Sequence, residues 1–371
     1  MTCMHTTLAL AIASVAPALL LGAPCEAADT PSITWHDAKS LTVEGRGWTD
    51  TQQPFDRLPA KAEAVVPPIV WHLARNSAGI VVRFTTDSPE IRVKWKLTSA
   101  NLAMNHMPAT GVSGVDLYVK YRGNWRWLGV GRPNAEENES TLVTGITAEK
   151  REYALYLPLY NGVSSVEIGI PESAKIEPVP SHRLKMKPVV LYGTSILQGG
   201  CACRPGMAYP SIIGRKLDIE TVNLGFSGAG QGEHVVSDLL AELDPQAYVI
   251  DCLPNMNAGM IDERIRYMLA AIKAKHPRTP VILVEEASFQ YAFIHQTDAA
   301  VAKNKVLAKL YKDLARDWNG RLFYVKGNTL MGKDGEPTVD GVHPNDIGFQ
   351  RMADALAPVI KRVIETTMRD K

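Results

Sequence analysis

Short apolar runs with two-residue alternation fill the first half of the chain. Ile80-Val81-Val82-Arg83-Phe84, Ile91-Arg92-Val93-Lys94-Trp95-Lys96-Leu97, Val115-Asp116-Leu117-Tyr118-Val119 and Val166-Glu167-Ile168-Gly169-Ile170 read as strands. Gly, Pro and Asn cluster between them, and long helical periodicity is absent from about Ser32 to Pro180. Short strands at this spacing predict an all-β sandwich of jelly-roll type. The pattern changes at Lys187. Val189–Tyr192, Thr221–Leu224, Tyr248–Cys252, Val281–Val284 and Leu322–Val325 are continuous apolar strands, as expected when helices cover both faces of a sheet. Tyr209–Leu217, Glu233–Leu243, Asp262–Lys275, Asp298–Trp318 and Asn345–Glu365 read as the helices between and after them. This alternation predicts an α/β domain with a parallel sheet. Pro178-Val179-Pro180 is the expected hinge, which puts the domains at 29–180 and 181–371.

In such a sheet, ligands bind beyond the carboxyl ends of the strands. Gly193-Thr194-Ser195 falls there after the first strand, and Asn223 to Gly228 after the second. Pro254-Asn255-Met256 follows the third, and Asp340-Gly341-Val342-His343 lies in the loop before the last helix. A serine hydroxyl is a poor nucleophile until a base takes its proton, and a third group must fix that base's tautomer. Ser195 is the candidate nucleophile, His343 the base and Asp340 the orienting acid. The N–H groups of Ser195 and Gly228 and the amide of Asn255 are candidate donors to an oxyanion. Each residue has a plainer reading. Ser195 can be a helix cap, Asp340 a turn residue or cap, and His343 a packing residue before Pro344. Gly228 can be a turn glycine, and Asn255 an Asx turn beside Pro254. Convergence of all five on one sheet edge favours the chemical reading. The spacing of Gly225, Gly228, Gly230 and Gly232 does not match a dinucleotide fingerprint, and no cofactor is expected.

Composition narrows the partners. The 371 residues are 46% apolar and 21% charged, with a formal net charge of +1. Nothing here marks a nucleic-acid or anionic-membrane binder, and a neutral or locally polar ligand is expected. Leu8 to Leu21 is uncharged, apolar and too short to span a bilayer comfortably. The small-residue site Cys25-Glu26-Ala27-Ala28 follows it. A signal peptide over 1–28 is expected, with export to the periplasm or the exterior and no membrane association after cleavage. Cleavage leaves Cys201, Cys203 and Cys252. A Cys201–Cys252 disulfide and three buried thiols both remain open. Cys201-Ala202-Cys203 lacks a second ligand pair, so no metal site is expected.

These blocks resemble the SGNH (GDSL-type) hydrolases. Gly193 to Gly199 is similar to the family's nucleophile block, Asn223 to Gly228 to its second block, Leu253-Pro254-Asn255-Met256 to its third, and Asp340 to His343 to its last. The resemblance implies a flavodoxin-like three-layer α/β/α domain. It gives Gly228 and Asn255 the oxyanion roles, and Ser195, His343 and Asp340 the triad. Thr194 stands where the family often has Asp, and Pro254-Asn255 replaces the usual Gly-x-Asn-Asp. Gly114-Val115-Asp116-Leu117-Tyr118 fits the Gly-x-Asp-Leu-Tyr signature of a subgroup with an N-terminal β-sandwich, which includes bacterial carbohydrate acetylesterases. The expected activity is removal of a small acyl group, acetyl first, from carbohydrate. An esterase or acyltransferase on another small ester, and a non-catalytic carbohydrate-binding protein, are the alternatives. Trp71, Trp95, Trp125 and Trp127 are candidate sugar-stacking faces or core residues. Glu285 and Glu286 end the fourth strand at the same edge and stay outside the catalytic set.

Overall fold

A computed structural model of the chain describes residues 32–179, 186–294 and 299–369. The expected signal peptide lies outside these residues, as does Pro180 of the expected hinge.

The first ten strands are β1 (Ile33–Asp37), β2 (Thr42–Glu44), β3 (Val81–Thr86), β4 (Ile91–Leu97), β5 (Val115–Tyr121), β6 (Asn124–Gly131), β7 (Glu137–Val143), β8 (Arg151–Tyr156), β9 (Val163–Pro171) and β10 (Ile176–Pro178). They pair antiparallel in two sheets, ordered β1-β9-β4-β7 and β10-β3-β8-β5-β6, with β2 also on β3. Alternation decides what each sheet buries. Ile91, Val93, Trp95 and Leu97 of β4 meet Val82 and Phe84 of β3 and Leu117 of β5 in one core. Lys94 and Lys96, on the opposite face of β4, pair with Glu139 and Glu137 of β7.

Two short helices interrupt the strands: α1 (Pro68–Ala74) and α2 (Ala109–Val112). Pro68 opens α1 at a position whose N–H would lack a partner anyway. Leu58, Ala62, Val66, Val70 and Leu73, around α1, do not join the sandwich core. They pack with Val190 and Tyr192 on the parallel sheet. Arg57, 1% exposed, closes the same join. Its guanidinium donates to the carbonyls of Leu73 (2.6 Å), Asn76 (2.8 Å), Asn223 (3.1 Å) and Gly225 (2.7 Å).

The remaining strands are β11 (Val189–Gly193), β12 (Thr221–Gly225), β13 (Ala247–Asp251), β14 (Val281–Val284) and β15 (Leu322–Val325). All pairings are parallel, in the order β12-β11-β13-β14-β15. The helices are α3 (Ser195–Gln198), α4 (Tyr209–Leu217), α5 (His234–Leu240), α6 (Ala258–Lys275), α7 (Ala299–Leu314) and α8 (Asp346–Arg369). Successive strand residues point to opposite faces. Val190, Tyr192, Tyr248 and Ile250 therefore pack with α5, α6 and α7, and Val189, Leu191, Ala247 and Val249 with α3, α4 and α8. This is the three-layer α/β/α arrangement behind an antiparallel sandwich. Among the described residues no helix is long and apolar enough to cross a membrane.

Candidate active site

The carboxyl ends of three neighbouring strands finish level. Gly193 of β11 is paired with Gly225 of β12 and with Asp251 of β13. Ser195, Gly228 and Asn255 follow those residues within a few positions, so three loops from adjacent strands meet at one edge. Phe226 N–H bonds Gly193 O at 3.0 Å, and Ser227 N–H bonds Gln198 Oε1 at 3.0 Å. Gly228 holds φ 68°, a left-handed turn conformation, with open space beside it. The Asn255 amide donates to Ala229 O, which ties the third loop to the second. That amide nitrogen carries a second hydrogen available to a ligand.

Ser195 opens α3, where the backbone N–H has no partner within the helix. Its side chain is 8% exposed, and Oγ lies 2.9 Å from His343 Nε2. His343 Nδ1 lies 2.8 Å from Asp340 Oδ2. Asp340 Oδ1 accepts the N–H groups of Val342 (3.0 Å) and His343 (2.7 Å), so one carboxylate shapes its own loop and aims the ring. Burial pushes the Asp340 carboxyl up. The hydrogen bonds from His343 and Val342 outweigh it and hold the group below its ordinary value. The arrangement can pass a proton from Ser195 to His343 and stabilise the resulting imidazolium.

Two residues at this site carry no sequence signal. The His106 ring, from the loop between β4 and α2, sits 6.4 Å from the His343 ring. Tyr160 O–H donates to Ser195 O at 3.3 Å. Tyr160 also lines a cavity of about 430 Å³, with His72, Asn76, Asn101, Met104 and Asn161 among its walls. Another cavity, of about 330 Å³, is lined by Lys187, Gln246, Pro280 and Arg321, which precede β11, β13, β14 and β15. It therefore lies at the amino edge of the sheet, opposite Ser195.

The other candidates fall elsewhere. Glu285 accepts from Gly327 N–H at 2.9 Å and from Tyr324 O–H, so it braces a loop. Glu286, 3% exposed, pairs with Lys303, which donates to Leu253 O (3.2 Å) and Pro254 O (3.3 Å) behind Asn255. Trp95 is buried in the sandwich core, Trp71 lies in α1 and packs partly buried against the parallel-sheet core, and Trp125 bonds Asp218 at 3.2 Å. Trp127 is 49% exposed. Cys201, Cys203 and Cys252 are free thiols, without a Cys201–Cys252 bridge. Among the described residues no cluster of three His, Cys, Asp or Glu could hold a metal.

Asp251, at the end of β13, accepts the Tyr209 O–H at 2.7 Å. Burial pushes its carboxyl up to about 7; the Tyr209 bond opposes this and Glu286 adds to it. The folded value exceeds the unfolded one. Its contribution to stability is therefore complete below about pH 4 and is lost as pH rises through about 7. Asp251→Asn keeps the shape without the charge. Its Tm should gain on the wild type between about pH 4 and about pH 7. A constant Tm difference across that window would contradict this account.

Comparison with known proteins gives a consistent picture. The family model described as GDSL-like lipase/acylhydrolase matches residues 186–361. The model for the N-terminus of SGNH-hydrolase-type esterases matches residues 33–176. A protein of Bacteroides ovatus ATCC 8483 described as a GDSL-like lipase is 35% identical, with 90% of this chain and 98% of that one covered and a TM-score of 0.84. The salicylyl-acyltransferase SsfX3 of a tetracycline biosynthetic pathway shares the fold at 17% identity, TM-score 0.71, over 88% of this chain and 97% of that one. A family two carbohydrate esterase of Cellvibrio japonicus does so at 12% identity, TM-score 0.58, over 90% and 98%. Among curated proteins no sequence relative is found.

Proposed function

We propose, from the premise that this chain belongs to the GDSL-like lipase/acylhydrolase family, that it is an exported serine esterase removing small acyl groups, acetyl first, from carbohydrate. The observation that carries the reading is the hydrogen-bonded relay Ser195–His343–Asp340 at the sheet edge. Ser195 Oγ attacks the ester carbonyl while His343 Nε2 takes its proton. Asp340 holds the ring by Nδ1 and stabilises the imidazolium. The N–H groups of Ser195 and Gly228 and the Asn255 amide receive the oxyanion. His343 returns the proton to the departing alcohol, then activates water to release the acid from Ser195.

Two features support a sugar alcohol. The cavity beside Tyr160 presents His72, Asn76, Asn101 and Asn161, suited to hydroxyl groups rather than to a lipid chain. The architecture is also that of the Cellvibrio japonicus carbohydrate esterase. The likeness to an acyltransferase raises transfer as a second reading. Partial exposure of His343 and Asp340 (29% and 46%) admits water and favours hydrolysis. Export rests on the Leu8–Leu21 run and the small residues after it.

The test is acetate release from acetylated xylan and acetylated oligosaccharides, beside p-nitrophenyl esters of rising chain length. kcat/KM should fall by at least about tenfold from acetate to octanoate, since a site built for a small acyl group loses transition-state contacts with a longer one. Activity confined to long acyl chains would remove the acetylesterase reading.

A further inference from the structure

The block Gly114 to Tyr118 has no part in the chemistry above. Strand alternation divides its side chains. Val115, Leu117 and Val119 face the sandwich core. Asp116 and Tyr118 face the segment that follows α3. Asp116 is fully buried. Its Oδ2 accepts Arg204 Nη1 at 2.7 Å and Gly206 N–H at 2.9 Å, and its Oδ1 accepts Trp127 Nε1 at 2.8 Å. Arg204 also donates to Tyr118 Oη. The approach is too close for a side chain at Gly206, whose Cβ would lie 2.7 Å from Asp116 Oδ2 and 2.4 Å from the Tyr118 ring.

The held segment is strained and is tied to the start of α8. Cys201 has φ 76°, a left-handed conformation that side chains bearing a Cβ rarely adopt. Such conformations persist only where the surroundings over-determine them. Cys203 joins two elements: its carbonyl accepts Thr110 Oγ1 at 2.6 Å, and its N–H donates to Asp346 Oδ1 at 3.0 Å. Asp346 is the first residue of α8, three positions after His343. Burial pushes the Cys201 thiol up to about 11, and the Asp340 charge adds to it.

We propose that Thr110, Asp116 and Arg204 are positioning residues. They clamp the segment from Cys201 to Gly206 and, through Cys203 and Asp346, hold His343 against Ser195. This rests on the triad reading above. The clamp's hydrogen bonds go to the segment and not to the relay, so loosening it displaces a general base without removing a binding group. Displacement by about an ångström can cost a hundredfold in rate.

The experiment uses the full chain with p-nitrophenyl acetate, below the melting temperature of every variant. Thr110→Val removes the hydroxyl that bonds Cys203 and keeps the shape; Thr110→Ser restores it. Thr110→Val and Asp116→Asn should each lower kcat by about ten- to a hundredfold at a KM within about twofold, with Thr110→Ser near wild type. If Asp116→Asn does not fold, the Thr110 pair decides. A wild-type kcat in Thr110→Val, an equal loss in Thr110→Ser, or a loss expressed in KM would overturn the clamp. Ser195→Ala separates the two levels. Turnover surviving in it removes the triad reading and the clamp together. Turnover lost in it, with Thr110→Val unaffected, removes the clamp alone.

Discussion

Ser195→Ala should lower kcat for p-nitrophenyl acetate by about 10³-fold or more, with His343→Ala falling nearly as far and the double variant no further. The reason is geometric. Ser195 Oγ and His343 Nε2 lie 2.9 Å apart, and in the proposed mechanism they share one proton transfer. Without the base the hydroxyl is not activated, and without the hydroxyl the base has nothing to deprotonate. Residues that act as a unit therefore give non-additive losses. The folded state should change little. Ser195 is small and sits at a helix start, and His343 is partly exposed. Initial rates on all three variants, with labelling of Ser195 by a fluorophosphonate, measure this. Multiplicative losses, or labelling undiminished in His343→Ala, would separate the two residues chemically and break the relay.

Asn255→Ala should lower kcat by about 10²–10³-fold, on the order of 3 kcal/mol of barrier, with KM nearly unchanged. Charge develops on the substrate oxygen only in the transition state, so a donor aimed at it acts on kcat. The proposed mechanism gives Asn255 that office, and contacts with Ala229 and Lys303 fix its loop. Its amide bonds Ala229 O beside Gly228, and Lys303 holds the carbonyls of Leu253 and Pro254 behind it. Binding of an acetate-like boronic acid should weaken in parallel with kcat. A raised KM at constant kcat would make Asn255 a ground-state contact instead.

β14 was legible because it is buried on both faces and is apolar throughout, as Val281-Ile282-Leu283-Val284. β4 was legible for the opposite reason: one buried face writes Ile91, Val93, Trp95 and Leu97 at every second position. Cys252 fell outside its expected strand by one residue, where the chain turns toward Asn255. The segment around α1 was not legible. Its apolar residues match a sheet more than a hundred positions later, and no local period records such a partner. Glu286 was ambiguous for the same reason, since its partner Lys303 sits on a different element, α7.

Sequence alone determined the β character of the first half, the strand–helix alternation of the second and the chemical inventory at the carboxyl edge, because periodicity and residue type are local properties. The fold alone decided the rest. It brought Oγ of Ser195 to Nε2 of His343 across 148 positions, carried His106 and Tyr160 to the same place, and set Asp116 against Arg204. Those distances depend on how sandwich and sheet close on each other. That closure is set by packing between residues far apart in the chain, which no spacing within either half encodes.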